Sequence, residues 1–169
     1  VPRPAHRRPR GSGRVTGPTT EPARSDPDPQ EPACLLCRPD EADRFFGRTR
    51  VWTDGRWRLS VVGHGPVPGF AHLEPVRHIP HVTDLDGPEA SSFGPVLAAV
   101  TGALKSAAGA DLVYAAVFGE RVAHFHVNLA PHRAGDALAG GPAMVVPDAA
   151  AAPAAAHRAV LDALREQLR

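Results

Sequence analysis

Cysteine is almost missing from this chain of 169 residues: there are two, Cys34 and Cys37. Two are too few to build the disulfide framework of a small secreted scaffold. Lysine is scarcer still, with Lys105 alone, so all but one of the 19 basic side chains are arginine. They are offset by 18 acidic ones, leaving a net charge of +1. That balance supplies no overall field to hold nucleic acid or an anionic membrane surface, and neither partner is expected. No apolar run approaches the roughly 20 residues a membrane-spanning helix needs. Aromatics make up 5%, so the core must be assembled mainly from Val, Leu and Ala. No apolar stretch follows the basic start at Val1–Arg8. The expectation is therefore no signal peptide and a cytoplasmic protein.

What is plentiful is chain-breaking residues, 19 Pro and 16 Gly, and seven of the Pro fall within the first 30 residues. Residues 1–31 carry almost no large apolar side chain and cannot bury enough surface to offset the entropy of ordering. They read as a disordered Pro/Arg-rich tail, whose arginines could touch an anionic partner but are more simply solvated. Residues 32–169 read as one domain. Runs at 50–53 and 57–62 flank Asp54-Gly55, a hairpin signal, and Phe70–Val76 can add a short strand ending near Pro75. Asp86-Gly87-Pro88-Glu89 offers an N-cap, an early Pro and a capping-box acid. Phe93, Val96, Leu97, Val100 and Leu104 then form one apolar helical stripe that should stop near Gly109. Leu112–Phe118 reads as a buried strand, Val122–Leu129 as its partner, 132–147 as irregular and Ala149–Leu168 as a terminal helix. The order implies an α+β fold with an antiparallel sheet, one long core helix and a C-terminal helix.

The most informative stretch is His124-Phe125-His126-Val127-Asn128-Leu129. On a strand, alternation puts Phe125, Val127 and Leu129 on one face and His124, His126 and Asn128 on the other. Packing does not require such a polar file, although incidental solvent-facing histidines would produce the same pattern. Cys34-Leu35-Leu36-Cys37 is half of a tetrahedral zinc site, needing two further ligands. A redox disulfide pair is the alternative, without the strand-then-helix setting such a pair usually has. His78 and His124 could complete a Cys2His2 set.

Three segments taken in order resemble the histidine-triad (HIT) superfamily: Cys34-x-x-Cys37, then Gly69-Phe70-Ala71-His72-Leu73-Glu74-Pro75-Val76-Arg77-His78, then His124-Phe125-His126-Val127-Asn128-Leu129. The likeness covers roughly residues 34–135. It implies a structural zinc on Cys34, Cys37, His78 and His124. It also implies a nucleotide hydrolase or nucleotidyltransferase in which His126 attacks the α-phosphorus of a nucleotide conjugate, giving a nucleotidyl-imidazole intermediate, with a small-molecule nucleotide or phosphorylated metabolite as the partner. A homodimer is among the partners the resemblance allows. The third triad position is Asn128, where hydrolytic members usually keep His and the uridylyltransferase branch carries an amide. Arg121 and Arg133 are the candidate phosphate contacts. Phe70 replaces the His that often follows the loop glycine, and no acid suited to holding a ribose follows the second strand. A tailoring enzyme with altered chemistry and a non-catalytic zinc or nucleotide-binding module are the other readings. Of the remaining histidines, His72 and His81 read as surface or core-edge residues, His64 as a loop residue able to face a pocket, and His157 as solvated.

Overall fold

The computed structural model describes residues 33–138 and 149–168. The tail at 1–31 and most of the irregular stretch before the last helix lie outside them. Asp54 turns the first hairpin: its Oδ1 accepts from the backbone N–H groups of Arg56 and Trp57 at 2.8 and 2.7 Å, an Asx turn. On either side run β1 (Arg48–Thr53) and β2 (Trp57–Val62). β3 is Ala71–Pro75, β4 Leu112–Ala116 and β5 Val127–His132. The sheet order is β1-β2-β3-β5-β4, antiparallel throughout.

Alternation along these strands makes two unlike faces. Trp57, Leu59, Val61, Ala71, Leu73, Val127 and Leu129 join one apolar core with residues of the two long helices. Those helices are α2 (Gly87–Ala108) and α3 (Ala154–Gln167). The other face carries Arg58, Ser60, His72, Glu74 and Asn128, and it is covered near β1 by a short helix, α1 (Pro39–Phe45). α2 ends at Gly109, in the left-handed region at φ 58°, where glycine carries no Cβ penalty. Gly69 is required twice over. Its φ is 85°, and a Cβ there would lie 2.7 Å from Val160 and 3.2 Å from Pro131. The loop before β3 thus closes directly on α3 and β5.

Five sequence expectations are corrected. The last strand begins at Val127 rather than Val122: β3 stops at Pro75, and the Phe125 N–H bonds instead to the Ile79 carbonyl at 2.6 Å. The strand expected to be buried at 112–118 is the sheet edge, ends at Ala116 and leaves Val117 and Phe118 exposed. The terminal helix starts at Ala154 rather than Ala149, because a residue preceding proline, here Ala152 before Pro153, is disfavoured in helical geometry. The capping box at α2 does not form; Asp86 makes no cap bond, and both it and Glu89 take the Arg77 guanidinium. His157 is buried, with Nε2 3.0 Å from the Gly65 carbonyl. α1 was not anticipated, although Pro39 at its first turn followed by Asp40 and Glu41 is a start signal.

Candidate active site and metal centre

The turn at 34–37, the segment after β3 and the segment before β5 converge on four side chains. Cys34 Sγ lies 3.4 Å from His124 Nδ1, Cys37 Sγ 3.3 Å from His78 Nδ1, and Cys37 Sγ 3.6 Å from His124 Nδ1. All four ligand atoms lie within 4.8 Å of one another. A tetrahedral zinc centre with ordinary Zn–S and Zn–N bonds sets neighbouring ligand atoms about 3.3–3.8 Å apart. The cluster fits that metal in spacing and in donor type. His124 adds a further sign. Its Nε2 is 3.0 Å from the Pro75 carbonyl, which can only accept, so the proton sits on Nε2 and the Nδ1 lone pair faces the sulfurs. This second bond is the usual way a ligating imidazole is oriented. Burial drives the His124 pKa from 6.5 down to about 4, against the opposing pull of the Pro75 carbonyl. The ring is therefore neutral, as a ligand must be.

Two residues further on, His126 Nδ1 lies 2.8 Å from the His124 carbonyl. The same logic puts its proton on Nδ1 and leaves the Nε2 lone pair free. Asn128 is directed elsewhere: its Nδ2 donates to the Ala116 carbonyl on β4 at 3.3 Å. Because the regular strand begins only at Val127, the three polar residues do not form the even file that alternation predicts. His124 is fully buried in the metal cluster, while His126 stays partly accessible.

The imidazole nearest in kind to His126 comes from another strand. His72 on β3 is paired in register with Asn128, and its ring centre is 6.2 Å from that of His126 at 81°. From sequence, His72 is expected at the surface or core edge. The structure makes it a wall of a recess of about 380 Å³ shared with Phe46, Val62, His64, Val67 and Phe70. Behind it lies a buried ion network. Arg48 donates to Glu74 at 2.8 and 3.1 Å and to Asp43 at 2.7 Å, and Arg58 donates to Glu74 at 2.6 Å and to the Leu36 carbonyl. Burial works to raise the Glu74 carboxyl, but the two guanidiniums outweigh it and hold it below the usual range. Arg48 Nη1 also lies 3.2 Å from His72 Nδ1. Burial, then the Arg48 charge, lowers the His72 pKa from 6.5 to about 4. Nothing in the local sequence reveals this role. The one available cue is parity, since His72 and Glu74 share a face with the polar residues of β2 and β5.

The two arginines expected at phosphate lie apart. Arg121 is exposed and lines a cavity with Cys34, Leu35 and His78, over the metal cluster. Arg133 donates through Nε to the Gly109 carbonyl at 2.7 Å and lines another cavity with Pro131 and Val160.

No protein-family model matches the sequence, and no curated protein does. Solved structures do resemble it. A histidine triad (HIT) protein from Sinorhizobium meliloti superposes with a TM-score of 0.63 at 24% identity, covering 76% of this chain and 95% of that one. A Zn-bound histidine triad family protein from Mycobacterium smegmatis gives 0.58 at 20% identity, over 79% of this chain and 94% of that one. A uridylyltransferase gives 0.53 at 21% identity, over 80% of this chain and 46% of its own length. At such identities the likeness speaks for architecture, and it agrees with the antiparallel sheet and the long α2: the chain has the histidine-triad fold.

Proposed function

We propose that this protein transfers a nucleotidyl group, cleaving a nucleotide conjugate at its α-phosphorus through a covalent intermediate on His126. The observation that carries this reading is the 2.8 Å bond from His126 Nδ1 to the His124 carbonyl. It fixes the tautomer and leaves the unprotonated Nε2 as the nucleophile of this reading. Nε2 attacks, an N–P bond forms, the P–O bond to the leaving group breaks and the leaving group takes the electron pair. Water, or an acceptor phosphate, then displaces His126 in the second half. Cys34, Cys37, His78 and His124 would hold zinc, which with four protein ligands acts as a staple holding the segment that carries His126. Arg121, near that cluster, is a candidate phosphate contact; Arg133 could serve as one only by giving up the Gly109 carbonyl. A homodimer through the β4 edge, where Leu112, Val117 and Phe118 are exposed, belongs to the same reading.

A second reading, a tailoring enzyme on a small phosphorylated metabolite, is favoured by the recess beside His72. Phe46, Val62, Val67 and Phe70 line it, and among the described residues no carboxylate does, so it lacks an acid to hold a ribose diol. One experiment separates these readings. The protein is incubated with a nucleotide sugar, a dinucleoside polyphosphate or a nucleoside 5′-phosphoramidate, and its intact mass is measured. A nucleotidyl adduct is expected that vanishes in His126→Ala, with turnover falling at least about a thousandfold. Absence of adduct and turnover with all three sinks the nucleotidyl reading and leaves the tailoring enzyme or a binding module. Metal analysis of protein purified without chelator should find one zinc per chain; finding none removes the four-ligand assignment.

A further inference from the structure

Asn128 has its amide nitrogen turned to the Ala116 carbonyl on β4 at 3.3 Å, which commits one of its two N–H donors. The strand pairing puts an imidazole directly across from it. We propose that His72, reaching from β3, supplies through its Nε2–H the hydrogen bond to a non-bridging oxygen of the phosphoryl group held by His126. This rests on the nucleotidyl–His126 reading above and adds to it a phosphoryl contact from β3.

The geometry assigns the tautomer. A guanidinium only donates, so the 3.2 Å contact from Arg48 Nη1 makes His72 Nδ1 the acceptor and leaves the proton of the neutral ring on Nε2. Arg48 is held in place by Glu74 and Asp43 and is almost fully buried. The ring it holds is therefore fixed before substrate arrives, which is what makes a donor effective in a transition state. His126 has the opposite tautomer, with Nδ1 protonated against the His124 carbonyl. Two rings set edge to face, 6.2 Å apart between centres, then carry complementary nitrogens, a lone pair on one and an N–H on the other. In the proposed complex a non-bridging oxygen of the phosphorus bonded to His126 sits between them.

The arrangement also selects the substrate. With Nδ1 facing a guanidinium, His72 is a hydrogen-bond donor and has no second proton to give. The leaving group must depart with its electron pair and without a proton from this ring. Phosphate, a sugar phosphate or another weakly basic oxygen does so readily, whereas an amine leaving from a phosphoramidate, strongly basic without a proton, does so far more slowly. Nucleotide sugars and dinucleoside polyphosphates should therefore form the adduct faster than phosphoramidates.

Single-turnover adduct formation from a nucleotide sugar tests this, using the two α-phosphorothioate diastereomers beside the oxygen parent. In the wild type, sulfur at the contacted position should slow one diastereomer far more than the other. In His72→Leu the oxygen substrate should slow about 10²–10³-fold with little change in KM, and the discrimination between diastereomers should disappear. His72→Gln, which keeps a donor, should recover at least tenfold over Leu. A variant damaged only in structure would keep the wild-type thio discrimination in its active fraction, so discrimination unchanged in His72→Leu overturns the proposal. Nitrogen NMR of the wild type showing the His72 proton on Nδ1 overturns it as well. If the wild type forms no His126 adduct with any oxygen substrate, the reading of the site falls and this proposal falls with it.

Discussion

Leu59, Leu73 and Val127 lie side by side on the helix-facing side of the sheet; one residue further along each strand pairing, Ser60, His72 and Asn128 lie side by side on the other. Both rows are buried or nearly so, yet they are stabilised differently. The apolar row gains from removing area from water and from dispersion, neither of which depends strongly on direction. The polar side holds Arg48, Arg58, Glu74 and His72, where Glu74 is shared by both arginines and Arg48 also reaches Asp43 and His72, so each charge or lone pair depends on a partner in a fixed place. Removing that partner leaves a desolvated group without compensation. The helix side therefore supplies stability that is tolerant of sequence. The polar side supplies a fixed geometry behind His72 and His126 and is intolerant of it.

The sharpest way to break this contrast is a pair of size-conserving substitutions on neighbouring residues of β3. Glu74→Gln keeps the shape and removes the charge that two buried arginines share; its expected cost is about 3–5 kcal/mol. Leu73→Met, on the apolar side, is expected to cost less than about 1.5 kcal/mol. Denaturant unfolding of both checks it, and equal costs would erase the distinction between the faces.

A smaller effect concerns acid. His72 titrates near its ordinary 6.5 in the unfolded chain and near 4 in the fold. Between those values the unfolded chain binds more protons, so stability falls as pH drops from 6.5 through 4. The full shift corresponds to about 3 kcal/mol. His72→Leu should lack this part of the acid sensitivity, measured as a smaller difference in unfolding free energy between pH 7 and pH 4 than in the wild type.

The smallest effect is expected at the exposed rim. Asp86 is 71% exposed beside Arg77 and makes no cap bond to α2. Asp86→Ala should cost no more than about 0.5 kcal/mol, against about 1 kcal/mol or more for a side chain that caps a helix. A larger loss in thermal unfolding would mean that charge at the rim behaves like charge under the sheet.

How much of this could be read in advance varied with the range of the interaction. The hairpin at Asp54-Gly55, the stripe on α2 and its stop at Gly109 depend on neighbours within a few residues, and they stand as expected. The metal quartet was legible because Cys34-x-x-Cys37 is a local signature and the two histidines sit in motifs of their own. α1 is not predicted from sequence because its seven residues give too short a pattern. The corrected limits of β4 and β5 follow from what lies across the sheet, the end of β3 at Pro75 above all. His72 escaped notice because nothing within β3 says that its ring faces His126, more than 50 residues away, or that Arg48, 24 residues before it, holds its Nδ1.

Residue chemistry alone dictates which faces of β2 and β3 are apolar, where the long helix starts and stops, and that two cysteines and two histidines suited to one metal are present. These follow from backbone conformation and side-chain chemistry, which are properties of the residues themselves. Tertiary structure alone decided which lone pair each histidine presents. A tautomer is set by the group that meets the other ring nitrogen, and for His72, His124 and His126 that group is a guanidinium, the Pro75 carbonyl and the His124 carbonyl. The first two arrive from distant parts of the chain, and the third depends on a local bend that only the packed fold imposes.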